Sequence, residues 1–213
     1  DKSTIEATKG ISTVNNGIVN LQATDSNTIK AQEFGIYTKE NSQVNLNAIN
    51  ADNIVYVDNG YGISGNNSAI NINSQSGNNS IEVAQGIAIE ANNGSNISIN
   101  ANKGQNNIKA SDSAISVNKN NIDKDIATTR TDTIVRIIGK DNIINAVTAI
   151  DNIDGGNVEI IARENNSIDG LVHAENKANT KIQGKINYLK NDKDNAIESN
   201  NANVLVQGDK STI

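Results

Sequence analysis

Three short apolar clusters recur along the chain in a fixed order. The first sets an Ile two residues ahead of an apolar or small partner: Ile5/Ala7, Ile29/Ala31, Ile54/Tyr56, Ile81/Val83, Ile108/Ala110, Ile144/Ala146, Ile168/Gly170 and Ile186/Tyr188, with Ile213 opening a ninth. The Ile143-Ile144 pair leaves that register open by one residue. The second cluster is a small residue followed by an apolar one, as in Gly10-Ile11, Gly35-Ile36, Gly62-Ile63, Gly86-Ile87, Ala114-Ile115, Ala149-Ile150, Gly170-Leu171 and Ala196-Ile197. The third alternates strictly: Val19-Asn20-Leu21, Val44-Asn45-Leu46, Ile70-Asn71-Ile72 and Ile97-Ser98-Ile99, then Val135/Ile137, Val158/Ile160, Ile182 and Val204/Val206. Apolar and polar residues that alternate over a few positions mark strands with one buried face. No stretch sustains a helical period.

Turn formers separate the clusters. Two residues before the first strand stand Ser3, Asn27, Asp52, Asn79, Asn106, Asn142, Asn166, Gly184 and Ser211. Three before the third strand stand Asn16, Asn41, Asn67, Gly155, Asn179 and Asn201, with Gly94 in the fourth unit. Such residues accept left-handed backbone or hydrogen-bond their own main chain. Three strands and three corners therefore make a unit, and the eight units between Ile5 and Ile213 average 26 residues. The pattern predicts an all-β fold, a right-handed single-stranded parallel β-helix (a β-solenoid) with three strands per coil and about eight coils. Successive coils would stack about 4.8 Å apart. Identical corners placed one above another would let Asn side chains form hydrogen-bond ladders, and Asn16, Asn41, Asn67, Asn179 and Asn201 are the expected corner ladder.

Composition agrees with a narrow, aliphatic interior. The chain holds 33 Ile but no Trp, Met, Cys or Pro, with one Phe and four Tyr. Large rings have little room inside such a tube, and Pro would delete a ladder hydrogen bond. Its 40 Asn residues are several times ordinary usage, as corner stacking demands. A net charge of −6 argues against a nucleic-acid partner, which calls for a basic face, and against a polybasic membrane patch. No apolar run approaches the ~18 residues of a membrane helix. The chain starts at Asp1 rather than Met, which reads as a mature or excised segment.

Units such as "GIYTKENSQVNLNA" and "GIAIEANNGSNISINA" resemble the passenger domains of bacterial autotransporters and filamentous-haemagglutinin-type adhesins. The likeness rests on period, Asn/Gly/Ala/Ile bias and lack of Cys, and it spans nearly the whole chain. It implies a secreted protein at the bacterial cell surface whose partners are a surface ligand, protein or glycan, and copies of itself end to end.

Chemistry is sparse by comparison. Gly60-Tyr-Gly62-Ile-Ser-Gly65 has the letters of a dinucleotide fingerprint, but "NNSAINI" follows where that motif needs a helix. No cofactor is expected. His173 is the only histidine, and with no Cys a zinc site is not expected either. Acidic residues gather at Asp123/Asp125, Asp151/Asp154 and Asp192/Asp194 without the spacing of a calcium loop. Five Asn-x-Ser sequons begin at Asn66, Asn78, Asn93, Asn96 and Asn165. The three arginines, Arg130, Arg136 and Arg163, are scattered, so an enzyme is not expected. A polysaccharide-binding or polysaccharide-processing β-helix and a phage tail fibre are the alternatives.

One unit is longer than the rest. The fifth spends 36 residues, and the excess falls in "NKNNIDKDIATTRTD" between the second and third strands. A loop projecting from a rigid scaffold is where binding tends to reside. Asn121, Asp123, Lys124, Asp125, Arg130 and Asp132 are the candidate interaction residues, with "LKNDKDN" (189–195) second. Finally, Asp1-Lys-Ser-Thr-Ile5 returns as Asp209-Lys-Ser-Thr-Ile213, 208 residues later. Residues 1–213 therefore read as one continuous solenoid segment carrying one period of a second, longer repeat.

Overall fold

The computed structural model describes residues 1–119 and 132–213. Among them every strand pairing is parallel and there is no helix. The chain is a β-solenoid. β1 (Lys2–Thr13) and β2 (Ile18–Ala23) form the first coil, β3 (Ser26–Lys39) and β4 (Gln43–Ala48) the second, β5 (Asn53–Asn66) and β6 (Ala69–Ser74) the third. β7 (Asn79–Asn92) opens the fourth coil, and β8 (Asn96–Ala110) closes it and begins the fifth. β9 (Ser113–Asn118), β10 (Ile134–Ile153) and β11 (Asn157–Glu175) carry the path through the fifth, sixth and seventh coils. β12 (Asn179–Gln183) closes the seventh, β13 (Ile186–Lys190), β14 (Ile197–Asn200) and β15 (Asn203–Gln207) form the eighth, and β16 (Lys210–Thr212) starts a ninth.

Long strands such as β1 and β3 bend once, at a register shift between Ala7 and Lys9, so each supplies a first and a second arm of its coil. The bend needs a small residue. A Cβ on Gly35 would lie 2.6 Å from the Gly62 carbonyl oxygen, and one on Gly62 equally close to that of Ala88. The third arm holds the register read from the sequence throughout: Val19, Val44, Ile70, Ile97, Val135 and Val158 stack, as do Leu21, Leu46, Ile72, Ile99, Ile137, Ile160, Ile182 and Val206. All but the end-coil members of these two rows are buried.

The first and second arms need four corrections. In the third coil Val55 and Val57 point inward, aligned with Ile29 and Ala31, while Tyr56 is exposed. In the eighth coil the inward residue is Leu189, paired with Ile168, and Ile186 and Tyr188 face out. Ile89 rather than Ile87 aligns with Ile63, and Val172 rather than Leu171 with Ile150. Ile144 settles inward beside half-exposed Ile143. A slip of one residue reverses the faces of a strand, and "NIVYVD" and "INYLK" alternate equally well in both phases.

An internal asparagine decides the phase. Asn27, Asn53, Asn79, Asn106, Asn142, Asn166 and Asn187 are all buried at the corner preceding the first arm. Each of the first six donates Nδ2–H to the Oδ1 of the next at 2.8–2.9 Å. Most place the second amide proton on a backbone carbonyl across the corner, as Asn53 does on Asn73 and Asn106 on Ile138. The corner residues in coils three and eight are thus Asn53 and Asn187, not Asp52 and Gly184. A buried amide meets nearly all its hydrogen-bonding capacity only in this stack, so the Asn goes inside and Val55 and Leu189 follow two residues later.

Candidate functional site

The turn between second and third arms is built from left-handed residues. Asn16, Asn41, Asn67 and Asn201 have φ of 64°, 59°, 47° and 50°. Asn is among the few side chains that tolerate this backbone. Backbone bonds tie these residues to neighbouring coils: Asn16 N–H donates to Glu40 O at 2.9 Å, Asn41 N–H to Asn67 O at 2.7 Å, and Asn201 O accepts from Lys177 N–H at 2.6 Å. Asn179 does not belong with them. It is the first residue of β12, and the left-handed pair of its coil is Asn176-Lys177. The cause is Thr180, buried in the row of Val158 and Val204, where it accepts a hydrogen bond from Asn152 at 3.0 Å. A threonine holds a core position there, so the buried face of the strand begins two residues before Ile182.

The insertion in coil five leaves the solenoid undisturbed. Ile134–Gly139 resumes the third arm, paired to Asn96–Ala101 on one side and Asn157–Ala162 on the other. Asn121, Asp123, Lys124, Asp125 and Arg130 lie outside the described residues. Asp132 is described: its carboxylate lies 3.7 Å from Lys119 Nζ at the foot of the insertion. A groove of about 570 Å³ begins there and runs over three further coils, past Asp154, Asn176, Lys177 and Asn179 to Asn201. Within it Asn176 donates to Asp154 at 3.1 Å, and the lining residue Asn179 accepts from Asn203 at 3.0 Å. This polar wall offers amides and single charges of both signs.

The remaining candidates pair locally. His173 sits on the outer face of the second arm, directly above Asp151, with Nδ1 2.8 Å from Asp151 Oδ1 and Nε2 3.7 Å from Glu175. Asp192 meets Lys190 at 2.5 Å, which raises the Lys190 pKa by hydrogen bond and charge. Asp194 caps Asn195 N–H at 2.8 Å, so 189–195 is organised by its own side chains. Arg136 grips Glu159 through Nη2 at 2.6 Å and Nε at 2.7 Å. Arg163 lines a separate groove of about 380 Å³ with Lys185 and Asp209. Gly60 and Gly86 carry φ of 99° and 130° at the bend, and β5 runs on through Gly65 as strand where a dinucleotide fingerprint would start a helix. Of the sequons, Asn93 is buried.

Sequence reading missed one grouping altogether. Four of the five aromatic residues, Phe34, Tyr37, Tyr56 and Tyr61, fall in coils two and three. Their crowding between positions 34 and 61 was the available signal. Comparison with protein-family models, curated proteins and solved structures finds no match to this chain.

Proposed function

We propose that this chain is a shaft or fibre segment of an extracellular bacterial surface protein, adhesin-like in kind, whose work is to hold binding elements away from the cell. The observation that carries the reading is the placement of the repeated pentapeptide. Ser3 pairs with Asn27 and Ser211 with Asn187, so both copies of "DKSTI" occupy the corner and first arm of their coils. A sequence that returns to the same structural position after eight coils suits a period of a longer rod. At about 4.8 Å per coil the period is about 38 Å.

A continuous core and unbroken coil-to-coil hydrogen bonding suit the same role, because solenoid stability accumulates through neighbouring-unit contacts. The coil-five insertion with its adjoining groove would then be the place on this segment where a surface ligand, protein or glycan, is met. Two experiments test the reading. Antibodies raised against residues 1–213 should label intact source cells, and labelling only after permeabilisation overturns the surface location. Two copies joined through the shared pentapeptide should form a straight rod about 38 Å longer than one copy; two beads on a flexible joint would overturn the shaft.

A further inference from the structure

With five aromatic residues in 213, chance would scatter them, yet the solenoid collects four on its outside. Phe34 and Tyr61 are register partners at the bend, and Ile87 continues that column in the next coil. In the adjoining outward column Tyr37, Ser64 and Glu90 stack in the same three coils. The Phe34 and Tyr37 rings touch, with centroids 5.7 Å apart and planes at 47°. Tyr61 is 38% exposed, and Phe34, Tyr37 and Ile87 are half-buried. The hydrogen-bonding groups at the margin are already aimed. Ser64 donates to Glu90 Oε2 at 2.7 Å, and among the described residues no cation pairs with that carboxylate.

We infer that this platform of Phe34, Tyr37, Tyr61 and Ile87, edged by Glu90 whose carboxylate the buried Ser64 holds, is a binding site for a short run of neutral sugar rings. Three coils by two side-chain columns cover roughly 150 Å², far below the ~800 Å² per partner of a stable protein interface. A small ligand is therefore the occupant that fits. Flat apolar rings with polar groups at one edge match the two faces of a pyranose: C–H groups lie on the aromatic rows, and hydroxyls reach the Glu90 carboxylate and the Tyr61 phenol. The neighbouring Glu90 charge keeps that phenol protonated and able to donate. An acidic glycan would meet Glu90 as a like charge, so the ligand is neutral. The site lies on coils two to four and does not depend on the fibre reading.

The test titrates the whole chain with cellotriose, maltotriose and chitotriose, following amide shifts by NMR and tyrosine fluorescence. At least one trisaccharide should bind and shift amides of coils two to four. Tyr61→Ala should weaken it about tenfold, the loss of one stacked ring, and Glu90→Gln should weaken it less. Tyr188→Ala, one of the two aromatic residues off the platform with Tyr56, should change nothing. Circular dichroism of each variant separates a lost site from a lost fold, and both tyrosines are exposed, so the fold should persist. Absence of binding by all three trisaccharides, binding insensitive to both Tyr61→Ala and Phe34→Ala, or response to choline alone would each overturn the assignment.

Discussion

Asn27 donates its Nδ2–H to Oδ1 of Asn53 at 2.9 Å, across one coil step and out of reach of water. Six such bonds in series link seven buried asparagines from the second coil to the eighth. Every member but the terminal ones both gives and receives, so loss of one leaves unpaired polar atoms on two coils.

Asn106 is the member to remove. Its amide donates to Asn142 and to Ile138 O, and its Oδ1 accepts from Asn79, each at 2.8–2.9 Å. Asn106→Ala should cost about 2–4 kcal/mol, since the stranded partners add to the lost bonds. Asn106→Asp should cost as much at neutral pH, where a carboxylate faces two acceptors, and less in acid, where it can donate once. Urea unfolding as a function of pH distinguishes them; an Asp variant equally stable at all pH values would contradict the donor role.

The ladder also has an unfilled end. Asn27 Oδ1 is buried without a partner, and Ser3 is its register neighbour in the first coil. Ser3→Asn places a donor there. It should stabilise by about 1 kcal/mol, the net worth of one buried hydrogen bond, seen as a higher denaturation midpoint at unchanged slope. A lower midpoint would show that the first coil does not hold the amide in place.

Register in the third coil can be read by substitution. Val55 is buried and Tyr56 exposed. Val55→Ala should cost about 1–3 kcal/mol, whereas Tyr56→Ala should stay within about 0.5 kcal/mol. The opposite order would restore the phase that the sequence pattern suggested.

Replacing residues 120–131 by a Gly-Ser link should leave the thermal midpoint nearly unchanged. Loop length enters stability only logarithmically, and the arm after the insertion is paired on both sides. A loss of cooperative unfolding would mean that the insertion supports the coil.

Alkaline titration probes the aromatic platform. Glu90, and secondarily burial, holds the Tyr61 pKa above its ordinary value near 10. The folded chain keeps this proton more tightly than the unfolded one. Its stabilising effect is therefore complete below the ordinary tyrosine range and is lost as pH rises through the raised value. Tyrosinate absorbance should show one late-ionising phenol that Glu90→Gln shifts to lower pH and Tyr61→Phe removes. Superimposable curves for the wild type and Glu90→Gln would refute the contact.

Much was legible in the chain. The 26-residue period, three arms per coil, the third-arm register and the coil that carries the insertion all follow from period-two alternation and turn residues, which are local properties. The third arm reads cleanly because Val-Asn-Leu and Ile-Asn-Ile have one apolar phase. Where both phases are apolar, as in "NIVYV" and "INYLK", local pattern carries no preference. There only the coils above and below decide, by requiring Asn53 and Asn187 in the buried stack. Thr180 carries no apolar signal of its own, and its burial depends on Asn152 across the coil. The aromatic platform was hidden for the same reason: Phe34 and Tyr61 are 27 residues apart in sequence and become neighbours only when one coil lies on the next. Residue order determined the coil; stacking determined which face each residue shows.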